Sequence, residues 1–168
     1  MDMGVREKNE AALTKKFRKK YYESYQTLQQ GEIRNCSVET CENNQKMICC
    51  LREGRKWRLN SIYEPERAAK LYAERYADMR DFALVCVFGM SDGRIIREIK
   101  EQCNGTQTLI VYEPDVEVFL TAMREFSLED IIEDNDIYII VEGINTGDIN
   151  TLFENIVTYQ NRELMMHC

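Results

Sequence analysis

The chain has 168 residues, 44% of them hydrophobic, and a formal net charge of −7. That length and apolar content support one or two domains with a real core, while the acidity argues against general nucleic-acid binding, which draws its affinity from basic surfaces. No apolar segment approaches the roughly 20 residues that span a bilayer, and MDMGVREKNEAALTKK lacks the apolar stretch of a signal peptide, so a cytoplasmic protein without a membrane partner is expected.

From Glu7 to Gln30, Leu13, Phe17, Tyr21, Tyr25 and Leu28 recur at three- and four-residue spacing and Gly31 follows as a stop, which predicts one amphipathic helix. The bases of Lys15-Lys16-Phe17-Arg18-Lys19-Lys20 surround that stripe and read as a solvated face. Between Cys36 and Asn60 the pattern shortens to SVETCE, KMICCLR and KWRLN. Asn43-Asn44 and Glu53-Gly54-Arg55 separate these runs, which is turn chemistry for a small antiparallel meander. Trp57, the single tryptophan, reads as a packed side chain on one of its strands. Residues 1–60 are thus expected to form a helix-plus-meander cap leaning on a second domain, 61–168.

Pro65 suits the first turn of the next helix, and Ala68, Leu71, Tyr72, Tyr76 and Met79 give its stripe. Asn60, Ser61, Tyr63 and Arg67 cluster around its start, where local physics favours capping over covering a ligand. Ala83 to Phe88 is an unbroken apolar run, as in a strand covered on both faces at the centre of a parallel sheet. Gly89-Met90-Ser91-Asp92-Gly93 ends it, and Ile95, Ile96, Ile99 and Cys103 follow at helical spacing. A second apolar run, Thr108 to Tyr112, leads to Glu113.

This β-loop-α-β arrangement carries the chemistry that the sequence offers. Glycines let backbone amides approach a ligand, a helix N-terminus supplies unpaired N–H groups and a positive dipole end, and an acid on the neighbouring strand accepts from ribose hydroxyls. Gly89, Ser91, Asp92, Gly93 and Glu113 are therefore candidate cofactor-binding residues, and a nucleotide or S-adenosylmethionine suits such a crevice. Ser91 stands where a dinucleotide fingerprint has its second glycine, and its side chain crowds a pyrophosphate. The competing reading is structural: Gly89 and Gly93 shape the turn, Ser91 or Asp92 caps the helix, and Glu113 meets solvent.

Val116, Phe119, Leu120 and Met123 mark a second crossover helix, and Ser127 with Asp130 predicts a capping box for a short helix carrying Leu128, Ile131 and Ile132. Ile137 to Val141 is a third buried strand; Ile149, Leu152, Phe153, Ile156 and Val157 line the following helix. Right-handed crossovers order the three strands 3-2-1, with a fourth expected beside the first, and ELMMHC begins like that strand. The fold class is α/β, a Rossmann-like, mostly parallel sheet flanked by helices and preceded by an N-terminal helix and a β-meander. A domain ending one short strand after a packed helix also reads as the N-terminal piece of a longer protein, with a sheet edge open to a second copy of the chain.

Seven cysteines (36, 41, 49, 50, 86, 103 and 168) contain no CxxC pair, and His167 is the single histidine, so spacing supports neither a zinc site nor a disulfide framework. Cys86 and Cys103 read as small core residues, and the adjacent Cys49 and Cys50 point to opposite faces of a strand, against a shared metal. Ser-His-Asp and Cys-His catalysis would have to rely on His167.

Three segments stand in order: Leu59-Asn60-Ser61-Ile62-Tyr63-Glu64-Pro65-Glu66-Arg67-Ala68-Ala69, then Val87-Phe88-Gly89 with Gly93, then Ile110-Val111-Tyr112-Glu113-Pro114-Asp115. This series resembles the N-terminal domain of the motility accessory factor (Maf) family of flagellin glycosyltransferases, within the larger 6-hydroxymethylpterin diphosphokinase MptE-like group. The likeness runs from about Met47 to the C-terminus. Where that family reads closer to FGxGxGYH, this chain has FGMSDGRI. The resemblance implies a bacterial protein linked to the flagellum that attaches a nonulosonic acid to flagellin serines or threonines from a CMP-activated donor. Transfer would fall to a central domain downstream, so flagellin and that domain are the implied partners, and the present region is implied to be non-catalytic. Two other classes stay open: an independent S-adenosylmethionine- or nucleotide-binding enzyme, and an interaction module.

Overall fold

The computed structural model describes residues 3–16, 19–76, 82–103, 107–156 and 165–167. The chain opens with helices α1 (Val5–Lys16) and α2 (Lys19–Gln29). Strands β1 (Cys36–Thr40), β2 (Lys46–Arg52) and β3 (Arg55–Arg58) follow, then α3 (Pro65–Glu74). The α/β part comprises β4 (Leu84–Phe88), α4 (Arg94–Gln102), β5 (Thr108–Glu113), α5 (Val116–Glu125), α6 (Glu129–Glu133), β6 (Ile137–Val141), α7 (Asp148–Ile156) and β7 (Met165–His167).

The larger sheet is parallel, in the order β6-β5-β4-β7, so the fourth strand lies beside the first as the crossover rule requires. Alternation divides the apolar strands between two layers. Leu84, Ile110 and Ile140 face one way and pack with Leu152 and Phe153 of α7. Val85, Val87, Leu109, Val111, Ile139 and Val141 face the other way, into the main core with residues of α1, α4, α5 and α6. Because the chain passes to the opposite face after β6, the sheet has a topological switch beside β4, the place where open α/β sheets bind ligands.

The predicted N-terminal helix is present as two helices that fold back on one another. Glu10 accepts from the Tyr25 hydroxyl (3.1 Å) and from Gln29 Nε2 (2.8 Å), fifteen and nineteen residues further on. In one straight helix, rising about 1.5 Å per residue, Gln29 would lie about 28 Å away. Lys15 pairs with Glu133 at 3.0 Å, and Lys16 donates to the carbonyls of Asp134 and Ile137, so these two bases tie α1 to the end of α6 and the start of β6 rather than forming a free face. Phe17 and Arg18 lie outside the described residues, as do Met79, Val157 and Cys168.

The meander is antiparallel, as its turn residues dictate. Glu53 (φ 51°) and Gly54 (φ 72°) are both left-handed between the paired Arg52 and Arg55, the backbone of a two-residue hairpin turn whose twist matches its strands. Cys36, Ile48 and Cys50 join the same core cluster as Val85 and Phe119, so the hydrophobic core continues across residue 60. Tyr25, fully buried, meets Phe119 edge to face at 6.0 Å, an arrangement that contributes about 1 kcal/mol beyond burial.

Two local expectations are corrected. The capping box at Ser127 does not form: Asp130 is drawn instead into a two-pronged pair with Arg97 of α4 (2.6 and 2.8 Å), and Asn9 of α1 takes the Leu128 amide at 2.8 Å. Trp57 is not packed but 57% exposed, because all of β3 lies on the open side of the small sheet.

Candidate functional site

A cavity of about 520 Å³ opens where the C-terminal ends of β4 and β5 meet the meander. Trp57 and Leu59 form its meander side, Phe88 its sheet side, and Tyr72 of α3 a third side. Phe88 is 62% exposed and contacts Tyr112, its register partner on β5, at 5.3 Å between ring centroids. The walls are apolar, with polar groups at Arg52, Ser91, Glu113 and Asp115. Arg52 is paired with Asp115, which also caps α5 by accepting from the Glu117 amide at 3.0 Å.

The glycine loop borders this cavity, and the chain itself uses the loop's backbone donors. Gly89 N–H donates to the Tyr112 carbonyl at 2.7 Å and Gly93 N–H to the Met90 carbonyl at 2.9 Å. Glu113 is buried and its carboxylate turns back toward the loop: one oxygen accepts from Met90 N at 2.8 Å, the other from Asp115 N at 2.9 Å. The expectation that this side chain meets solvent is therefore overturned. Burial pushes its pKa up to about 7, a rise that hydrogen bonds from the Met90 and Ser91 amides partly offset.

Asp92, also buried, accepts from the Arg94 amide at the start of α4 (3.2 Å) and from the Arg94 guanidinium (2.6 Å). The positions where an incoming phosphate would sit on amides are thus held by two carboxylates of the protein. Gly93 (φ 83°) has a packing role besides: a Cβ there would meet Leu128 at 2.7 Å and Ile131 at 2.8 Å. Gly89 (φ 86°) has open space around its missing Cβ. Ser91, left-handed at φ 47°, donates to the Leu59 carbonyl at 3.3 Å and so joins the loop to the end of the meander.

Of the second candidate group, Asn60 reaches the loop, donating to Asp92 at 3.3 Å while its own oxygen accepts from Ser61 N at 2.8 Å. The Ser61 hydroxyl accepts from the Tyr63 and Glu64 amides (3.2 and 3.3 Å), bracing the turn ahead of α3. Tyr63 is 58% exposed, and Arg67 pairs with Glu64 on the surface. The structure therefore gathers Asn60, Ser91, Asp92, Gly93 and Glu113 around one loop and leaves Tyr63 and Arg67 outside it.

Three features were not read from sequence. Arg94 locks Asp92, and its neighbour position in the chain could have suggested that pairing. The aromatic walls, Trp57, Tyr72 and Phe88, come from three separate segments, which no local pattern joins. Cys36 and Cys50, far apart in any metal-ligand spacing, meet across β1 and β2, and with Asp115 they bring ligand-type atoms within 4.8 Å of one another.

These observations define a Rossmann-like α/β fold whose glycine loop is closed by its own carboxylates and whose crevice is widened by a β-meander. In fold, the chain is similar to a Maf glycosyltransferase from Magnetospirillum magneticum AMB-1: TM-score 0.60, 14% identity, over 91% of this chain and 29% of that protein. It thus spans less than a third of that protein's length. No family model matches the sequence, and no curated protein matches it. Among the described residues, no helix is long and apolar enough to cross a membrane.

Proposed function

We propose that this chain is a non-catalytic module of a Maf-type glycosyltransferase, one that engages partner or substrate through the aromatic crevice while sugar transfer takes place in another domain. The carrying observation is the likeness in fold to about a third of a Maf glycosyltransferase. The site chemistry fits it: the Met90 amide and the start of α4 are engaged by Glu113 and Asp92 of the chain itself. In this reading the whole protein attaches a nonulosonic acid from a CMP-linked donor to flagellin.

The test is to incubate the purified chain with flagellin and a CMP-activated nonulosonic acid, measuring flagellin binding and flagellin mass. Binding without a mass increase is expected. Transfer by the chain alone, or absence of flagellin binding by folded protein, overturns the proposal.

One observation favours a second reading, a nucleotide or S-adenosylmethionine site: exposed Trp57 and Phe88 are aromatic surfaces on which a base could stack at the end of β4. Titration with CMP, CTP and S-adenosylmethionine discriminates. Saturable heat weakened by Glu113→Ala supports the second reading, and flat traces from folded protein remove it.

A further inference from the structure

In the meander, the strand register sets two thiols face to face. Cys36 of β1 is the cross-strand partner of Cys50 of β2, and their Sγ atoms are 2.8 Å apart. The adjacent pair, Asn35 and Leu51, is hydrogen bonded, with Leu51 N donating to the Asn35 carbonyl at 2.7 Å. Hydrogen-bonded and non-hydrogen-bonded pairs alternate along an antiparallel ladder, so Cys36 and Cys50 occupy a non-hydrogen-bonded pair, where Cα atoms are about 4.5 Å apart and side chains come closest. Disulfides span Cα separations of about 4.4 to 6.8 Å, so a bond here needs no strand movement. Cys50 is buried but is among the residues that line the aromatic cavity, and Arg52 lies on the same face of β2. Asp115 is engaged by Arg52 and the Glu117 amide, so the thiol pair, rather than a three-residue metal set, is the free chemistry of this cluster.

We propose that Cys36 and Cys50 form a redox-active dithiol, opening onto the crevice, that closes reversibly to a disulfide by exchange with a small-molecule disulfide. Cys50, after losing its proton, attacks one sulfur of the reagent; a mixed disulfide forms and one reagent thiolate leaves. Burial, with Cys50 beside it, holds the Cys36 thiol well above the usual thiol range, so Cys36 gives its proton to the first reagent thiolate as it attacks the Cys50 sulfur; the Cys36–Cys50 bond forms and the second reagent thiolate leaves. Two electrons pass to the reagent, and the two released protons end on its two thiols.

The experiment incubates the full chain in buffers of increasing 2-hydroxyethyl disulfide to 2-mercaptoethanol ratio, then quenches with acid, alkylates and maps peptides by mass. The expected product is a Cys36–Cys50 cross-link that appears before any modification of Cys41 or Cys49 and is lost when the ratio is reversed. In Cys36→Ser the reagent should instead remain attached to Cys50, the resolving thiol having been removed; should that variant fail to fold by circular dichroism, the wild-type map decides alone. The proposal is overturned if Cys36 and Cys50 are both recovered as free thiols across the series, or if Cys50 cross-links to a different cysteine.

Discussion

At the scale of single residues, Glu113 carries the most informative tension, because a carboxyl removed from water is held in place by amides that favour its charged form. Its folded pKa of about 7 lies above the ordinary 4.5. Protonation therefore favours the fold: the contribution is full below about pH 4.5 and is lost as pH rises through about 7, a span of about 3 kcal/mol. Urea denaturation at about pH 5 and pH 8 should show this slope in the wild type and a flatter one in Glu113→Gln. Parallel slopes would show that the carboxyl does not titrate in the fold. The two glycines should also separate, since each gains a left-handed strain of about 1 kcal/mol as alanine, but only Gly93→Ala forces a methyl against Leu128 and Ile131. Overpacking there should add about 1 to 3 kcal/mol in denaturant midpoints, whereas Gly89→Ala should show the strain alone.

At the scale of elements, one side chain organises a helix junction. Asn9 of α1 is fully buried; it donates to the Met123 and Phe126 carbonyls at 3.0 and 2.7 Å and accepts from Leu128 N at 2.8 Å. It thereby ends α5 and starts α6, and the second of these tasks is the one the sequence assigned to Ser127. Asn9→Ala should cost about 2 to 4 kcal/mol by thermal or urea unfolding, because buried backbone groups lose their partners. Ser127→Ala should change stability by less than about 0.5 kcal/mol; a larger loss would restore the capping box. The Cys36 and Cys50 register was not legible: a two-residue turn at Asn43-Asn44 would pair Cys36 with Leu51, whereas the observed loop, closed by Cys41 N donating to the Gln45 carbonyl, pairs it with Cys50. What a turn motif alone does not settle is which pairs are hydrogen bonded.

For the whole molecule, the core joins Leu13, Ile48, Val85 and Phe119 in one cluster, so the meander and the α/β part should unfold together. Circular dichroism and Trp57 fluorescence should give superimposable urea curves; an earlier fluorescence transition would mean that the meander unfolds on its own. The parallel sheet, its strand order and the helices between its strands were legible in the sequence, because apolar runs, periodic stripes and glycine breaks are local consequences of burial and backbone sterics. The glycine loop was legible as a strand-to-helix turn for the same reason. Only the tertiary structure decided that Glu113 and Asp92 occupy that loop, that the N-terminal helix divides and folds back, that Trp57 faces an open crevice, and that two thiols meet. Each of these depends on contacts between residues far apart in the chain, and a side chain's partner is fixed by how the packed elements approach one another.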